Sequence, residues 1–255
     1  MTGKIHFIGA GPGDPELITV RGRRLIDEAD VIIYAGSLVN PAVLDGRKPS
    51  AVVHNSAYMD LDAVIGVVKE ATDKGLAVVR VHTGDPSIYG AIREQMDRLD
   101  ALGIGYEVVP GVSSFLAAAA VLKKEYTLPD VSQTVILTRM EGRTPMPPKE
   151  KLVDLARHNC TMAIFLSIGF IEELCSTLIE GGYDPKTPAA VVYKATWPDE
   201  KVIRGDLTDI AGKVKGKNVE KTALTVVGGF LGDEYGLSKL YDKRFTTGYR
   251  KGTEE

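Results

Sequence analysis

Apolar and polar positions follow two rhythms along this chain, and the two alternate over most of its length. Short β-branched runs predict strands near 4–10, 30–35, 51–53, 77–82 and 106–109. Between them, apolar residues recur at three- and four-residue intervals and predict helices near 15–28, 60–74 and 87–101. Leu61, Val64, Ile65 and Val68 share one face of the second of these, and Ile88, Ile92, Met96 and Leu99 one face of the third. Pro110-Gly111 breaks the pattern, and the alanine-rich run 112–122 predicts a tightly packed helix. A polar bridge at 123–130 follows. The alternation then resumes with strands at 133–138, 161–166, 189–194, 200–204 and 223–229, and helices at 149–157, 170–180 and 206–215. Trp197-Pro198-Asp199 joins two successive strands as a hairpin, which makes the second sheet mixed. The expectation is an α/β fold of two α/β domains, the first with a parallel sheet and the second with a mixed one. Their expected ranges are 1–115 and 116–235, followed by a polar tail at 236–255.

Composition narrows the class. The 255 residues are 44% hydrophobic and 25% charged, with a formal net charge of −3. That balance lacks the basic excess of a nucleic-acid binder, so an anionic ligand must be met by local Lys and Arg. The two cysteines, Cys160 and Cys175, make no disulfide framework and stand in no metal-ligand spacing. Cys175 falls in the helical stripe of Ile171, Leu174, Leu178 and Ile179 and reads as a core residue. No segment has the length of a membrane span and no leader is read ahead of the first strand, so a cytoplasmic protein is expected.

Two loops carry the candidate chemistry. Ile8-Gly9-Ala10-Gly11-Pro12-Gly13-Asp14-Pro15 follows the first strand, but it is not a dinucleotide fingerprint. The third glycine comes one residue early, Pro12 removes an amide that a pyrophosphate would use, and no acid ends the second strand. No Lys-Ser/Thr follows, so it is not a P-loop either. Its glycines predict a concave gap, free of side chains, at a strand's carboxyl end. The second loop, His82-Thr83-Gly84-Asp85-Pro86-Ser87-Ile88-Tyr89-Gly90, sits at another strand's carboxyl end, where open α/β sheets place ligands. Asp85 and Pro86 also suit a plain strand-to-helix cap, and parallel strands would set the two loops side by side.

With both loops in hand, the sequence resembles the class III S-adenosylmethionine-dependent methyltransferases that modify tetrapyrroles. The shared elements are GAGPGDPELIT (9–19), HTGDPSIYG (82–90), Pro110-Gly111-Val112-Ser113-Ser114, Phe165-Leu166-Ser167 and Tyr193-Lys194-Ala195-Thr196. Within that family, the segments 133–147 and 192–200 and the tail Ser238-Lys239-Leu240-Tyr241-Asp242 look like the precorrin-4 C11-methyltransferases of cobalamin biosynthesis. The resemblance implies two α/β domains with the active site in a trough between them, and a homodimer. It implies that Thr83, Gly84, Asp85, Ile88 and Tyr89 hold the methionine and ribose parts of the donor, with Ser113 and Ser114 continuing that wall. Leu166, Tyr193, Ala195, Thr222, Ala223 and Leu224 would surround adenine. Pro12 would border donor and acceptor, and Gly11, Gly13 and Asp14 the acceptor.

The implied acceptor is precorrin-4 or its cobalt complex, whose metal would belong to the substrate; no metal ligands are expected in the chain. Its carboxylates call for cations, and Arg139 and Arg143, flanking Glu141 in a proline-ended loop, are the candidates. Arg80, His82, Lys123, Lys124 and Lys194 are further candidates for rim charges. Related enzymes often carry an aspartate after the second strand, where this chain has Tyr34-Ala35-Gly36-Ser37. Asp14, Glu141 and Tyr34 remain as candidate bases, and no catalytic base is assigned. Two alternatives stay open. One is a sister enzyme acting on uroporphyrinogen III or a precorrin-3 type ring; the other is a nucleotide-binding dehydrogenase or ligand-binding module.

Overall fold

The computed structural model describes residues 4–253. The chain divides into two compact units between Ala118 and Ala119, and Lys194–Glu200 belongs with the first.

The first unit holds five strands, β1 (Ile5–Gly9), β2 (Val31–Tyr34), β3 (Val52–Asn55), β4 (Val78–His82) and β5 (Tyr106–Val109). All are parallel, in the order β3-β2-β4-β1-β5. Both faces of β1, β2 and β4 are covered, which is why these three read as nearly continuous apolar runs. Ile5, Phe7, Val31, Ile33 and Val78 pack under α2 (Leu61–Asp73) and α3 (Arg93–Ala101), meeting Val64, Ile65, Val68 and Leu99. Ile8, Ile32, Val79, Val81 and Val109 face the other way, against Ile26 of α1 (Val20–Glu28) and Val43 and Leu44. Side-chain caps set where the helices begin: Thr19 accepts from the Gly22 amide, and Asp60 from the Ala63 amide.

Four predicted helices differ from what forms, the one expected at 206–215 running only from Ile210 to Gly216. The one expected at 87–101 begins only at Arg93, because Tyr89 (φ 55°) and Ala91 (φ 49°) are left-handed and a helix cannot pass through them. Ile92, Met96 and Leu99 still pack into the core, so the periodicity reported burial correctly and helix extent incorrectly. The helix expected at 15–28 splits into a 3-10 turn, Pro15–Leu17, and α1. That expected at 149–157 shortens to Leu152–Ala156 after a 3-10 turn at Pro148–Glu150.

The helix α4 (Ser114–Leu122) runs across the junction in the chain, and the helix Leu152–Ala156 is α5. The second unit's strands are β6 (Val135–Arg139), β7 (Thr161–Phe165), β8 (Pro188–Tyr193), β9 (Lys201–Asp206) and β10 (Ala223–Val227). They pair in the order β6-β7-β10-β8-β9, with β6 and β7 parallel and the remaining pairs antiparallel, the expected mixed sheet with its β8–β9 hairpin. The core on one face joins Met162, Ile164, Val191 and Val227 to α5, α6 (Ile171–Glu180) and α7 (Ile210–Gly216) through Leu152, Leu174, Leu178, Ile210 and Val214. Cys175 lies inside it, and burial pushes its thiol up to about 11. Among the described residues no helix is long and apolar enough to cross a membrane.

Candidate active site

Strands β1 and β4 lie side by side, and beyond Gly9 and His82 the two loops continue the pairing. Ala10 N donates to His82 O (2.8 Å), Gly84 N to Gly11 O (2.8 Å) and Gly11 N to Gly84 O (3.2 Å). Gly11 (φ 79°) and Gly84 (φ 58°) both take left-handed backbone that a side chain would strain. The Pro110-Gly111 turn after β5 closes the third side. Cβ atoms built on Gly9 and Gly111 would fall 2.6 and 2.2 Å from Gly84 O, so three strand ends meet backbone to backbone.

Asp85 holds that junction together. One carboxylate oxygen accepts from the Ser87 amide (2.8 Å) and the Ser87 hydroxyl; the other accepts from the Gly111 amide (2.8 Å). Burial raises its pKa, but the bonds from Ser87 and Gly111 outweigh that, so the carboxyl titrates below its ordinary range. Thr83 and Ile88 are half-buried beside it, Tyr89 is exposed, Ser113 is buried and Ser114 opens α4. The structure therefore gathers Gly11, Pro12, Gly13, Thr83, Gly84, Asp85 and Ser113 around one set of strand ends.

The predicted gap over the glycines is not empty at Gly13. A Cβ there would lie 2.1 Å from Trp197 Cδ1, and the Trp197 indole donates to Pro12 O (2.9 Å). Thr196 Oγ1 accepts from the Asp14 amide (3.0 Å), Asn40 Nδ2 donates to Gly13 O (2.8 Å), and Ala195 O stands 2.9 Å from the same added methyl. Asp14 itself caps the 3-10 turn through its bond from Glu16 N (2.9 Å). Trp197, Thr196 and Asn40 were absent from the expected site. The available sequence signal was one: a lone Trp at a hairpin tip, beside Pro198.

In the second unit the expected residues collect at one end of the sheet. Arg139 and Phe165 are register partners at the ends of β6 and β7, and Tyr193 pairs with Ala223 where β8 ends and β10 starts. Leu166 follows β7 with φ 55° and is 66% exposed; Thr222 precedes β10 with φ 56°. Left-handed backbone at two non-glycine residues, one of them an exposed leucine, is strain of the kind found at ligand sites. Leu224, one position further along β10, is buried.

Several expected cations are not rim charges. Arg80 is 7% exposed, bonded to Gln95 Oε1, Ile33 O and Val81 O, and burial lowers its pKa to about 10. His82 is 4% exposed; burial, reinforced by the charge on Arg80, pushes it down to about 3, so it is neutral. Both sit on the β4 face that α2 and α3 cover, because β4 alternates from Val78. Lys194 pairs with Asp199 (2.6 Å) and lies over the Trp197 ring (5.1 Å); Lys124 binds Gly232 O (2.6 Å) and Asp233 (3.0 Å). Lys123, left-handed where α4 ends, is exposed.

The arginine loop divides two roles. Arg139 donates to Met140 O (3.0 Å), Thr144 O (3.2 Å) and Pro145 O (2.9 Å), folding the loop around its own guanidinium. Arg143 and Glu141 project from that loop exposed, and neither is bonded or ion-paired among the described residues. At the departure after β2, a Cβ on Gly36 would meet the Asn55 amide at 2.4 Å, so Asn55 fills the space a larger residue would need. Among the described residues, no cluster of His, Cys, Asp and Glu could hold a metal ion.

One parallel and one mixed five-stranded sheet, with glycine-packed loops at the strand ends of the first, define the class. Residues 4–211 match the family described as Tetrapyrrole (Corrin/Porphyrin) Methylases, and the chain belongs to it. It is 59% identical over 249 residues to a cobalt-precorrin-4 C(11)-methyltransferase of Methanocaldococcus jannaschii, covering 97% of this chain and 96% of that one. The solved structure of a cobalt precorrin-4 methyltransferase, a cobalamin biosynthetic enzyme, superposes with a TM-score of 0.88 at 48% identity, over 90% of this chain and 96% of that one. A uroporphyrin-III C-methyltransferase from Thermus thermophilus, solved with S-adenosyl homocysteine, reaches 0.75 at 28% identity, over 90% and 93%.

Proposed function

We propose that this chain transfers a methyl group from S-adenosyl-L-methionine to C11 of cobalt-precorrin-4. The near-full-length identity of 59% with the Methanocaldococcus enzyme of that name carries the reading. A sister activity on uroporphyrinogen III is the weaker reading, since the corresponding structure is only 28% identical.

The residues present suit the donor. Methionine and ribose need small polar groups and closely approaching backbone, which Thr83, Gly84, Ser113 and Ser114 supply around a turn that Asp85 holds shut. Adenine needs apolar walls, which Leu166, Ala223 and Leu224 offer, with Tyr193, Ala195 and Thr222. Bound there, the donor supplies a methyl on a sulfonium, ready for in-line displacement by an electron-rich carbon. The protein's task is then largely orientation, worth up to about 7–11 kcal/mol when the reacting atoms are held in line. No large catalytic side chain is needed for that, which agrees with a cluster built of glycines and hydroxyls. Arg143, held out by the loop that Arg139 folds, is our candidate for an acceptor carboxylate, with Glu141 beside it. Gly11, Pro12, Gly13 and Asp14 form the acceptor-side wall. We place the enzyme in the cytoplasm as a homodimer.

The test is incubation with S-adenosyl-L-methionine and, separately, cobalt-precorrin-4, metal-free precorrin-4 and uroporphyrinogen III, read by mass and visible spectrum. One added methyl on the cobalt complex, at a higher rate than on the metal-free ring, is expected. Methylation of uroporphyrinogen III alone would replace the reading with its sister. No heat of binding with millimolar S-adenosylhomocysteine would remove every methyltransferase reading.

A further inference from the structure

Lys194–Glu200, the loop between β8 and β9, belongs with the first unit, and it is fastened to the glycine loop at several points. Trp197 Nε1 donates to Pro12 O (2.9 Å), and Thr196 Oγ1 accepts from Asp14 N (3.0 Å). Thr196 N in turn donates to Glu200 (2.6 Å), and Lys194 lies over the indole while paired with Asp199, so the loop is braced from within. Between those two clamps sits Gly13, whose missing side chain is the space that Trp197 Cδ1 fills, 2.1 Å from an added Cβ. Asn40 holds Gly13 O from the other side (2.8 Å) and anchors itself by capping the following turn at Ala42.

Between the Gly11–Gly84 pair and the turn that Asp14 caps, the backbone of Pro12 and Gly13 makes no main-chain hydrogen bond among the described residues. Gly11 and Gly13 carry the conformational freedom of glycine, and Pro12 has no amide to donate. Its carbonyl oxygens at Pro12 and Gly13 instead receive side-chain donors from distant parts of the chain. We propose that Trp197 is a positioning residue for methyl acceptance: by occupying the space over Gly13 and holding Pro12 O, it fixes the glycine loop in the shape against which the acceptor is set. This rests on the reading of residues 11–14 as acceptor-side wall. Trp197 acts through that loop and takes no part in bond making.

Trp197 is the single tryptophan of the chain, which gives the contact its own optical signal. Gly13→Ala is expected to displace the indole and shift its emission to longer wavelength. Trp197→Phe keeps an aromatic ring but loses the pyrrole half with its N–H and the Cδ1 that lies over Gly13; it is expected to raise the acceptor KM by at least about fivefold to tenfold, the loss of one hydrogen bond alone. The S-adenosylhomocysteine dissociation constant should stay within about twofold, the residual scatter of a remote neutral change. Gly13→Ala should raise the acceptor KM further, and Trp197→Ala introduced beside it should recover part of the loss. Unchanged emission in Gly13→Ala, an unchanged acceptor KM in Trp197→Phe, or simple additivity of Gly13→Ala and Trp197→Ala would each overturn the proposal. Wild-type protein that binds S-adenosylhomocysteine yet turns over none of the tetrapyrroles would overturn the functional reading, and this role with it. Normal wild-type turnover with unresponsive variants overturns this role alone.

Discussion

Gly9 and Gly111 face each other backbone to backbone: a methyl added to Gly9 would lie 2.6 Å from Gly111 Cα, and one added to Gly111 would lie 2.7 Å from Gly9 Cα. The obstacle in each case is main chain, fixed by the pairing of β1 with β4 and β5, so no change of rotamer relieves it. Gly111→Ala is expected to destabilise the protein by about 1–3 kcal/mol, as overpacking does, and to weaken S-adenosylhomocysteine binding by moving the Asp85 turn. Gly66, exposed in α2 with nothing within 4 Å of an added Cβ, is the control. Gly66→Ala should stabilise by about 1 kcal/mol through helix propensity. Denaturant midpoints for the pair, with calorimetry, check both signs; equal effects would remove the close-approach account.

Asp85 should matter first as a fastening. Asp85→Ala leaves the Gly111 amide without its acceptor and is expected to cost about 1–3 kcal/mol of stability. Donor affinity should fall with it, and acceptor KM should change less. Asp85→Asn keeps one carbonyl acceptor and should lie between. The carboxyl's folded pKa is below the ordinary value of 3.8, so its contribution is fully present above pH 3.8 and is lost as pH falls through the lower folded value. In Asp85→Ala that last acid-driven loss disappears. An unchanged S-adenosylhomocysteine dissociation constant would mean that the turn serves the fold alone.

His82 supplies acid sensitivity at a milder pH. Its pKa is 6.5 when unfolded and about 3 in place, so between those values the unfolded chain binds a proton that the folded one refuses. Stability therefore falls as pH drops from 6.5 towards 3, by up to about 1.4 kcal/mol per pH unit from this group. Nε2 is buried without a hydrogen-bond partner among the described residues. His82→Leu removes both the proton site and the unpaired nitrogen. It should leave stability at pH 7 equal or higher and flatten its decline from pH 6 to pH 4. A decline as steep as wild type would assign the acid sensitivity elsewhere, with His6, also depressed by burial, the next group to change.

Strand positions were legible because both faces of β1, β2 and β4 are buried, which leaves an apolar run that periodicity detects. Helix extent was less so at Tyr89 and Ala91, whose left-handed backbone no composition rule announces in residues of that type. The glycine loop was read as a gap free of side chains, and the side chain that fills it at Gly13 was not legible. Gly13 and Trp197 are far apart in the chain, and only the folded hairpin brings the indole over the glycine. Arg80 and His82 were misread for a related reason. Charged letters at the end of an apolar strand look like a rim, and only the strand's alternation against α2 and α3 turns both inward. Both arginines of the 139–145 loop were singled out from the sequence, which could not tell the one that folds the loop from the one the loop presents.

That division yields opposite profiles for two neighbouring arginines. Arg143 makes no bond among the described residues, so Arg143→Ala should leave stability within about 0.5 kcal/mol of wild type. If it meets an acceptor carboxylate, a charge-assisted bond worth about 1.5–3 kcal/mol is lost, and the acceptor KM rises roughly tenfold to a hundredfold. Donor affinity and kcat should hold. Arg139 instead satisfies three carbonyls, at Met140, Thr144 and Pro145. Arg139→Ala should cost about 0.5–1.5 kcal/mol of stability, because two of its three bonds are exposed and water can replace them there. It should also raise the acceptor KM by letting Arg143 wander. Arg139→Lys cannot reproduce the planar fork and should recover little of either loss. Steady-state kinetics with cobalt-precorrin-4 alongside denaturant curves separate the two. A fall in donor affinity with an unchanged acceptor KM in Arg143→Ala would put this loop on the donor side.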